Sequence, residues 1–409
     1  MRTISLLLAC SLTLSMTAAQ ANSATSAQFV ISGSGFGHGV GMSQVGAFVQ
    51  ASKGKTAVEI INSYYPNAPV ISVDDSVPIL VNIAHLQDSI ELASAHVSSS
   101  AAATELALLQ ITNNQGLNIK ISKPVVVLPN LSEVKVVFKD FPNEVLIQGS
   151  NLSISWMSEL NGQQTSKATD LVITPSKGSV AKHRFGPLKL SVSNTKLNAS
   201  LERRISDDYL NAVAEVASTW PAAALQAQAI ASRSVAMAAL LAGSKTKCGC
   251  HLFNSGDQNM RGSERYTLPG YVNWRTAVAA TKGQVISYNS LPVTAWFFSR
   301  SNGRTENSAD VWGAARPWAV SVDDSHSLDL LAGPQIIWQQ RINQEVLAKL
   351  FKLPDIARIT IPKRSAGGSV ATYRAVSTQG LVSRISGRTL RAAIPLKSGW
   401  IASIKPVGK

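Results

Sequence analysis

A lone carboxylate, Glu215, is the last acidic residue before the Trp220-Pro221 corner in Ser206–Gly243, SDDYLNAVAEVASTWPAAALQAQAIASRSVAMAALLAG. A glutamate held at such a corner can donate or accept a proton if its surroundings keep it partly dry. The alternative is a solvated helix glutamate. Beyond the corner the chain is small and apolar nearly all round, as in a buried helix, yet it carries Gln226, Gln228, Ser232 and Arg233. An unpaired buried cation costs on the order of several kcal/mol. Arg233 is therefore expected to face a carboxylate, Glu215 or Glu306, unless it is a helix-end cation.

Three further clusters carry chemical potential. In SRSNGRTENSADVWG, residues Ser299, Ser301, Asn302, Thr305 and Glu306 crowd a loop with Gly303 and Gly313, flanked by Trp296, Trp312 and Trp318. Small polar groups beside aromatic faces suit carbohydrate, although an Asx-type loop over core tryptophans has the same composition. In ISGSGFGHGVGMSQVGA, glycines at 33, 35, 37, 39 and 41 alternate with Ser34, Phe36, His38 and Val40, and Ser43 and Gln44 follow. One face of this segment has no side chains, so a strand, a helix or a sugar ring must approach the backbone closely. His38 by itself suits a hydrogen-bonded structural role as well as a substrate contact. Finally Cys248, Cys250 and His251 in KCGCHLFNSGDQNMRG are close enough to offer three soft zinc ligands. C-x-C-H is not a standard closed zinc spacing, however, and oxidation of the pair is the competing reading.

The elements that position these residues are read as follows. Ser206 is expected to cap a first helix, with Asp207 and Asp208 in its first turn and Leu210, Val213 and Ala217 as its apolar stripe. Pro221 then opens a second helix, making a buried helical pair. Helices are expected from about Ser43, from Thr56 to Tyr65, near Tyr271 to Thr281 and near Ile342 to Phe351. Residues 70 to about 174 instead form short β-rich runs such as VPILVNIAHL, EVKVVF and LSISW, separated by turn residues. This reads as an antiparallel β domain with no chemistry of its own.

The chain has 409 residues, enough for two or three cores, and a net charge of +14, one unit of which is Arg2. Met1–Ala21 reads as a leader: Arg2, an apolar run and the A-x-A site Ala19-Gln20-Ala21. The mature chain is thus expected to be exported and, being basic, to adhere to anionic wall material. No nucleic-acid motif is present, and after the leader no unbroken apolar run is long enough for a transmembrane anchor.

Three blocks, YLNAVAEVASTWPAAALQAQAIASRSVA, TAWFFSRSNGRTENSADVWG and GSGFGHGVGMSQVGAFVQ, together resemble the SpoIID/LytB family of cell-wall proteins. The resemblance implies a mixed SpoIID-type domain with the buried helical pair; with the β-rich domain, read from its own strand runs and inserted after the N-terminal glycine block, the expected fold class is α+β. The expected division is a leader at 1–21, the glycine/histidine block at 22–69, the β-rich domain at 70–185 and the SpoIID/LytB-like domain at 186–409. It further implies that Glu215 matches the glutamate of a glycan-cleaving sporulation enzyme, working as the single acid/base of a lytic transglycosylase. Candidate substrate contacts are His38, Ser43, Gln44, Gln228, Arg233, Ser301, Gly303, Thr305 and Glu306. No cofactor is required, and zinc on Cys248, Cys250 and His251 is possible, as in some members. Expected partners are peptidoglycan glycan strands and, if the chain only stimulates another enzyme, a cell-wall amidase. Three departures stand out: the glycine block precedes the domain that it closes in many members and so must fold back onto the core, Asn302 replaces the first glycine of a G-G pair, and the Cys/His cluster is compressed to Cys248, Cys250 and His251, which counts against the metal.

Overall fold

The computed structural model describes residues 26–98, 104–254 and 256–407, so the leader at 1–21 lies outside the described residues. Helix and strand are mixed, as an α+β class requires. Strand 70–72 pairs with 284–288 near the helices, and from residue 78 onward the chain forms two larger sheets. One has six antiparallel strands in the spatial order 141–149, 133–138, 125–130, 90–96, 169–175 and 181–183. The other has eight, ordered 252–253, 78–87, 196–204, 188–193, 151–160, 106–113 and 118–121, with 163–165 on strand 151–160. Its one parallel pairing is Leu252–Phe253 on Val81–Asn82. Alternation drives the assembly: Val125 and Val127 are fully buried while Val126 and Leu128 are only partly so, the period of two that a sheet facing a core demands.

The β-rich region does not stop at 185, because strands 188–193 and 196–204 continue its larger sheet. Nor is its core separate. Ile79, Leu92, Val127, Ile154 and Leu201 share one cluster with Ile205, Tyr209, Leu210, Leu225 and Trp274 of the helical region.

The helical pair is corrected to a single long helix. Residues 205–212 make only a π-type turn, Ile205–Tyr209, and one α turn, Leu210–Ala212. Val213 then goes extended and bridges Met260, Ala214 N–H donates to the Asn259 carbonyl at 2.8 Å, and Arg261 N–H donates to that of Ala212 at 2.8 Å. Backbone groups that would have continued the helix are satisfied by this neighbouring segment instead. Ser206 does not cap, since its buried hydroxyl bonds Asp75.

The N-terminal block does fold back. Strand Gln28–Ser34 is the middle of a three-stranded sheet between 337–343 and 401–407. With the sheet of 358–364, 370–376 and 382–386 it encloses a second core around Phe29, Ile31, Trp338, Phe351, Tyr373 and Leu390. The glycines run from there past Trp400, Phe298 and Trp296 to Met42–Ser43, which pairs in parallel with Phe297–Phe298. Side chains and strands, not an empty groove, cover their bare face. At Gly41, with φ +77°, a Cβ would overlap the Trp296 carbonyl oxygen. Helix α1 (Gln44–Ser52), capped by Ser43, and helix α2 (Ala57–Tyr64), opened by a Thr56/Glu59 capping box, follow. Ile60, Ile61 and Tyr64 of α2 share a third core with Ala227, Ile230 and Ala231 of helix α3 (Ala222–Leu241). No helix among the described residues is long and apolar enough to cross a membrane.

Candidate functional site

Glu215 sits in the loop between the Leu210–Ala212 turn and α3, not on a helix, and is half-buried. The segment 259–261 straps this loop in place. Asn259 backbone N–H donates to Glu215 Oε1 at 2.5 Å, and its side-chain Nδ2 donates to the Ala214 carbonyl at 3.3 Å. On the other side α1 contributes Gln44, whose Nε2 reaches the Glu215 carbonyl at 3.4 Å and Gln228 Oε1 at 3.2 Å. One helical turn along, Phe48 meets the Trp220 ring at 5.3 Å, so α1 holds both ends of the loop. Gln228 Nε2 in turn donates to Ser232 Oγ at 3.1 Å. Burial raises the Glu215 carboxyl above the ordinary glutamate value, and the Asn259 N–H only partly opposes it. The arrangement is a poorly solvated acid whose carboxyl accepts one neutral backbone N–H, which can hold a proton and give it up.

Two neighbours escaped sequence reasoning. Asn259 sits in the stretch read for its cysteines, where the amides of Gln258-Asn259 were the available signal. Tyr209, 1% exposed, has a hydroxyl with no hydrogen-bond partner, and the charges of Glu215 and Asp257 add to burial in raising its pKa. Nothing in its spacing separates it from an ordinary core tyrosine.

Arg233 is corrected in both partner and role. It is fully buried, and its Nε bonds Asp75 Oδ2 at 2.7 Å, with further bonds to Ser206, Thr281 and the Val278 and Gln284 carbonyls. Neither Glu215 nor Glu306 touches it, and no surface remains for substrate. Asp75 precedes the first long strand, so only the tertiary fold brings it to α3.

The serine-rich loop also turns inward. Asp324, fully buried, accepts from Tyr64 at 2.6 Å, Ser301 at 2.6 Å and Ser327 at 2.5 Å, and Ser327 meets Ser43 at 2.8 Å. Burial raises the Asp324 carboxyl despite these donors. Ser43 and Ser301 are therefore parts of a buried polar hub, and Thr305, fully buried, receives the Val322 N–H at 2.8 Å. Gly303 shapes the turn, its N–H donating to Ser301 Oγ at 3.0 Å. Glu306 is 1% exposed, accepts from Ser365 Oγ at 2.6 Å and Ser369 N–H at 2.9 Å, and is raised by burial. Ser43, Ser301, Thr305 and Glu306 thus spend their polar groups on internal hydrogen bonds that lock the loop leading to Trp312.

His38 stands among rings, 5.0 Å from Trp312 and 5.7 Å from Phe298 between centroids, with Trp296 4.7 Å from Trp312. Its Nδ1 accepts the Val40 N–H at 3.1 Å. Burial and the Arg391 charge push its pKa down to about 4, so it is neutral at physiological pH. Trp312 is 39% exposed and offers a ring face, whereas Trp318 packs apart against Tyr288. Of the substrate candidates, Gln44 and Gln228 gather at Glu215, and His38 lies with the aromatic group.

Cys248 and Cys250 are joined in a disulfide, and His251 Nδ1 accepts the Leu80 N–H at 3.0 Å. The sulfurs are not thiolates and the imidazole holds a strand, so these three residues do not fit a zinc site. No other group of metal-ligating side chains occurs among the described residues.

Residues 198–288 match the SpoIID family, described as "Stage II sporulation protein". The chain is 28% identical over 177 residues to "Stage II sporulation protein D" of Bacillus subtilis (strain 168), covering 40% of this chain and 51% of that protein. It is 28% identical over 236 residues to the protein of the same name from Bacillus amyloliquefaciens, covering 54% and 64%. Over 158 residues it is 27% identical to "Amidase enhancer" of Bacillus subtilis (strain 168), covering 39% of this chain and 19% of that protein. The chain thus spans about half to two-thirds of the sporulation proteins and about a fifth of the enhancer.

Proposed function

From the premise that this chain carries a SpoIID segment and resembles the SpoIID/LytB family, we propose that it is an exported protein that cleaves peptidoglycan glycan strands as a lytic transglycosylase. The observation that carries the reading is Glu215: a half-buried carboxyl raised by desolvation, bonded by the Asn259 backbone N–H, with the side chain of Gln44, itself bonded to Gln228, on the main-chain carbonyl of the same residue. Hydrolysis of a glycosidic bond ordinarily uses two carboxylates, but an intramolecular displacement needs one. Protonated Glu215 gives its proton to the bridging oxygen as the bond from that oxygen to C1 breaks. The resulting carboxylate takes the proton of the C6 hydroxyl as O6 bonds to C1, closing a 1,6-anhydro ring and regenerating the acid. Trp312 and Trp296 supply ring faces on which sugar units stack.

The test is mass spectrometry of purified glycan strands after incubation with the protein. Wild type is expected to release 1,6-anhydro products, and Glu215→Gln to release them about 10²–10⁴-fold more slowly. The relative named for amidase enhancement favours a second reading, a noncatalytic wall protein that stimulates a separate amidase. In that case wild type alone releases nothing, and Glu215→Gln still enhances the partner.

A further inference from the structure

The strap that bonds Glu215 also walls a second cavity. Met260 and Arg261, directly after Asn259, line a cleft of about 540 Å³ together with Asn254, Lys182, His183 and Arg184. Asp170 and Glu264 are its acidic residues. Asp170 is already satisfied, accepting Arg184 Nε at 2.6 Å and Ser263 Oγ at 2.8 Å, which also neutralises Arg184. Lys182 and Arg261 are exposed, and their side chains make no ion pair among the described residues. Two free cations therefore face one free carboxylate, that of Glu264.

The floor of the cleft is unusual. His183 is 3% exposed, and its Nδ1 has no hydrogen-bond partner. Close to it lies Arg203, also buried, with Nε and Nη2 unpartnered and only Nη1 bonded, to Tyr266 at 3.3 Å. Buried polar atoms ordinarily find partners; His183 lines the cleft, and Arg203, which does not line it, adds a buried positive charge close to His183. Burial and the Arg203 charge hold His183 neutral down to about 3, so its ring keeps both a donor and an acceptor nitrogen.

We propose that this cleft is a carboxylate subsite that seats an acidic substituent of the same glycan strand whose linkage lies at Glu215, with Lys182 and Arg261 as its cations and His183 as its buried hydrogen-bonding group. The proposal rests on the glycan reading above. Its geometric warrant is the shared strap: two residues of extended chain, about 7 Å, separate the Asn259 amide on Glu215 from Arg261. Arg261 is therefore a near neighbour of the Glu215 loop, its own N–H bonding the Ala212 carbonyl at 2.8 Å.

The experiment is calorimetric binding to the full chain carrying Glu215→Gln, which should slow strand cleavage. Three ligands are compared: glycan strands with free muramyl carboxylates, the same strands methylamidated, and a phosphodiester wall polymer. The free-carboxylate strands are expected to bind about tenfold tighter than the amidated ones. Adding Lys182→Gln and Arg261→Gln, both at exposed positions, should erase that difference without changing Tm. Equal affinity for amidated strands, discrimination that survives both substitutions, or equally tight phosphodiester binding through the same two cations would each overturn the proposal. Failure of the cleavage reading shows separately, as wild type that forms no anhydro products or as 1,6-anhydro products that the Glu215→Gln protein forms at the wild-type rate.

Discussion

Glu215 and Arg233 are both charged residues withdrawn from water, and the fold treats them oppositely. Arg233 has a carboxylate partner in Asp75, whereas Glu215 has only neutral donors, so desolvation raises its pKa. Replacing Glu215 with Gln is expected to lower strand cleavage by about 10²–10⁴-fold, the contribution of a positioned general acid. The sign for stability runs the other way. A carboxyl whose folded pKa is raised contributes stability fully present below the ordinary glutamate range and lost as pH climbs through the raised value. Tm of the wild type should therefore fall relative to Glu215→Gln between mildly acidic and neutral pH. Arg233→Met leaves Asp75 buried and unpaired and is expected to cost about 3–5 kcal/mol in urea unfolding. Asp75→Asn in that background should recover part of the loss.

At the scale of elements, the glycine block shows what a bare backbone face is for. It lets the chain slip between Trp400, Phe298 and the Trp296 carbonyl so that Ser43 caps α1 and Gln44 arrives at the Glu215 loop. Gly41→Ala meets both a positive φ and the Trp296 carbonyl, and should lose about 1–3 kcal/mol together with much of the activity, since α1 must shift. Gly54→Ala also has a positive φ, but open space around it, and should cost about 1 kcal/mol with activity retained. Thermal unfolding and strand cleavage measured on the two variants separate the packing effect from backbone strain. The short helix before Glu215 makes a related point. Leu210, Val213 and Ala217 have helical spacing, but the strap at 259–261 satisfies the backbone from outside and Val213 is drawn into a bridge.

At the scale of the molecule, the chain crosses itself: strand 28–34 completes a sheet made otherwise of residues after 336, and α1 and α2 then brace α3. Removing residues up to 34 is expected to open the core around Phe29, Ile31 and Trp338 while the β-rich sheets persist. Limited proteolysis should then cut first between 337 and 407, and a dye that binds exposed apolar surface should report the change. Chelator is expected to leave Tm and strand cleavage unchanged, because the Cys248 and Cys250 sulfurs are already bonded to each other and His251 is held by the Leu80 N–H.

What the sequence determined by itself is the set of features written locally: the alternating strands, the buried character of α3, the helix starts at Ser43 and Thr56, and the close approach forced on the glycine face. The family resemblance was legible for the same reason, since its blocks are contiguous, and residues 198–288 carry it. The tertiary structure alone decided who meets whom. Arg233 finds Asp75 across 158 residues, Ser301 and Ser43 turn to Asp324, and Asn259 presents its amide to Glu215 across 44. Polarity tells which residues need partners, but long-range partners are chosen by the path of the backbone. For that reason a loop that reads as a sugar-binding surface became a buried hydrogen-bond hub, and a three-residue metal motif became a disulfide beside a strand-holding histidine.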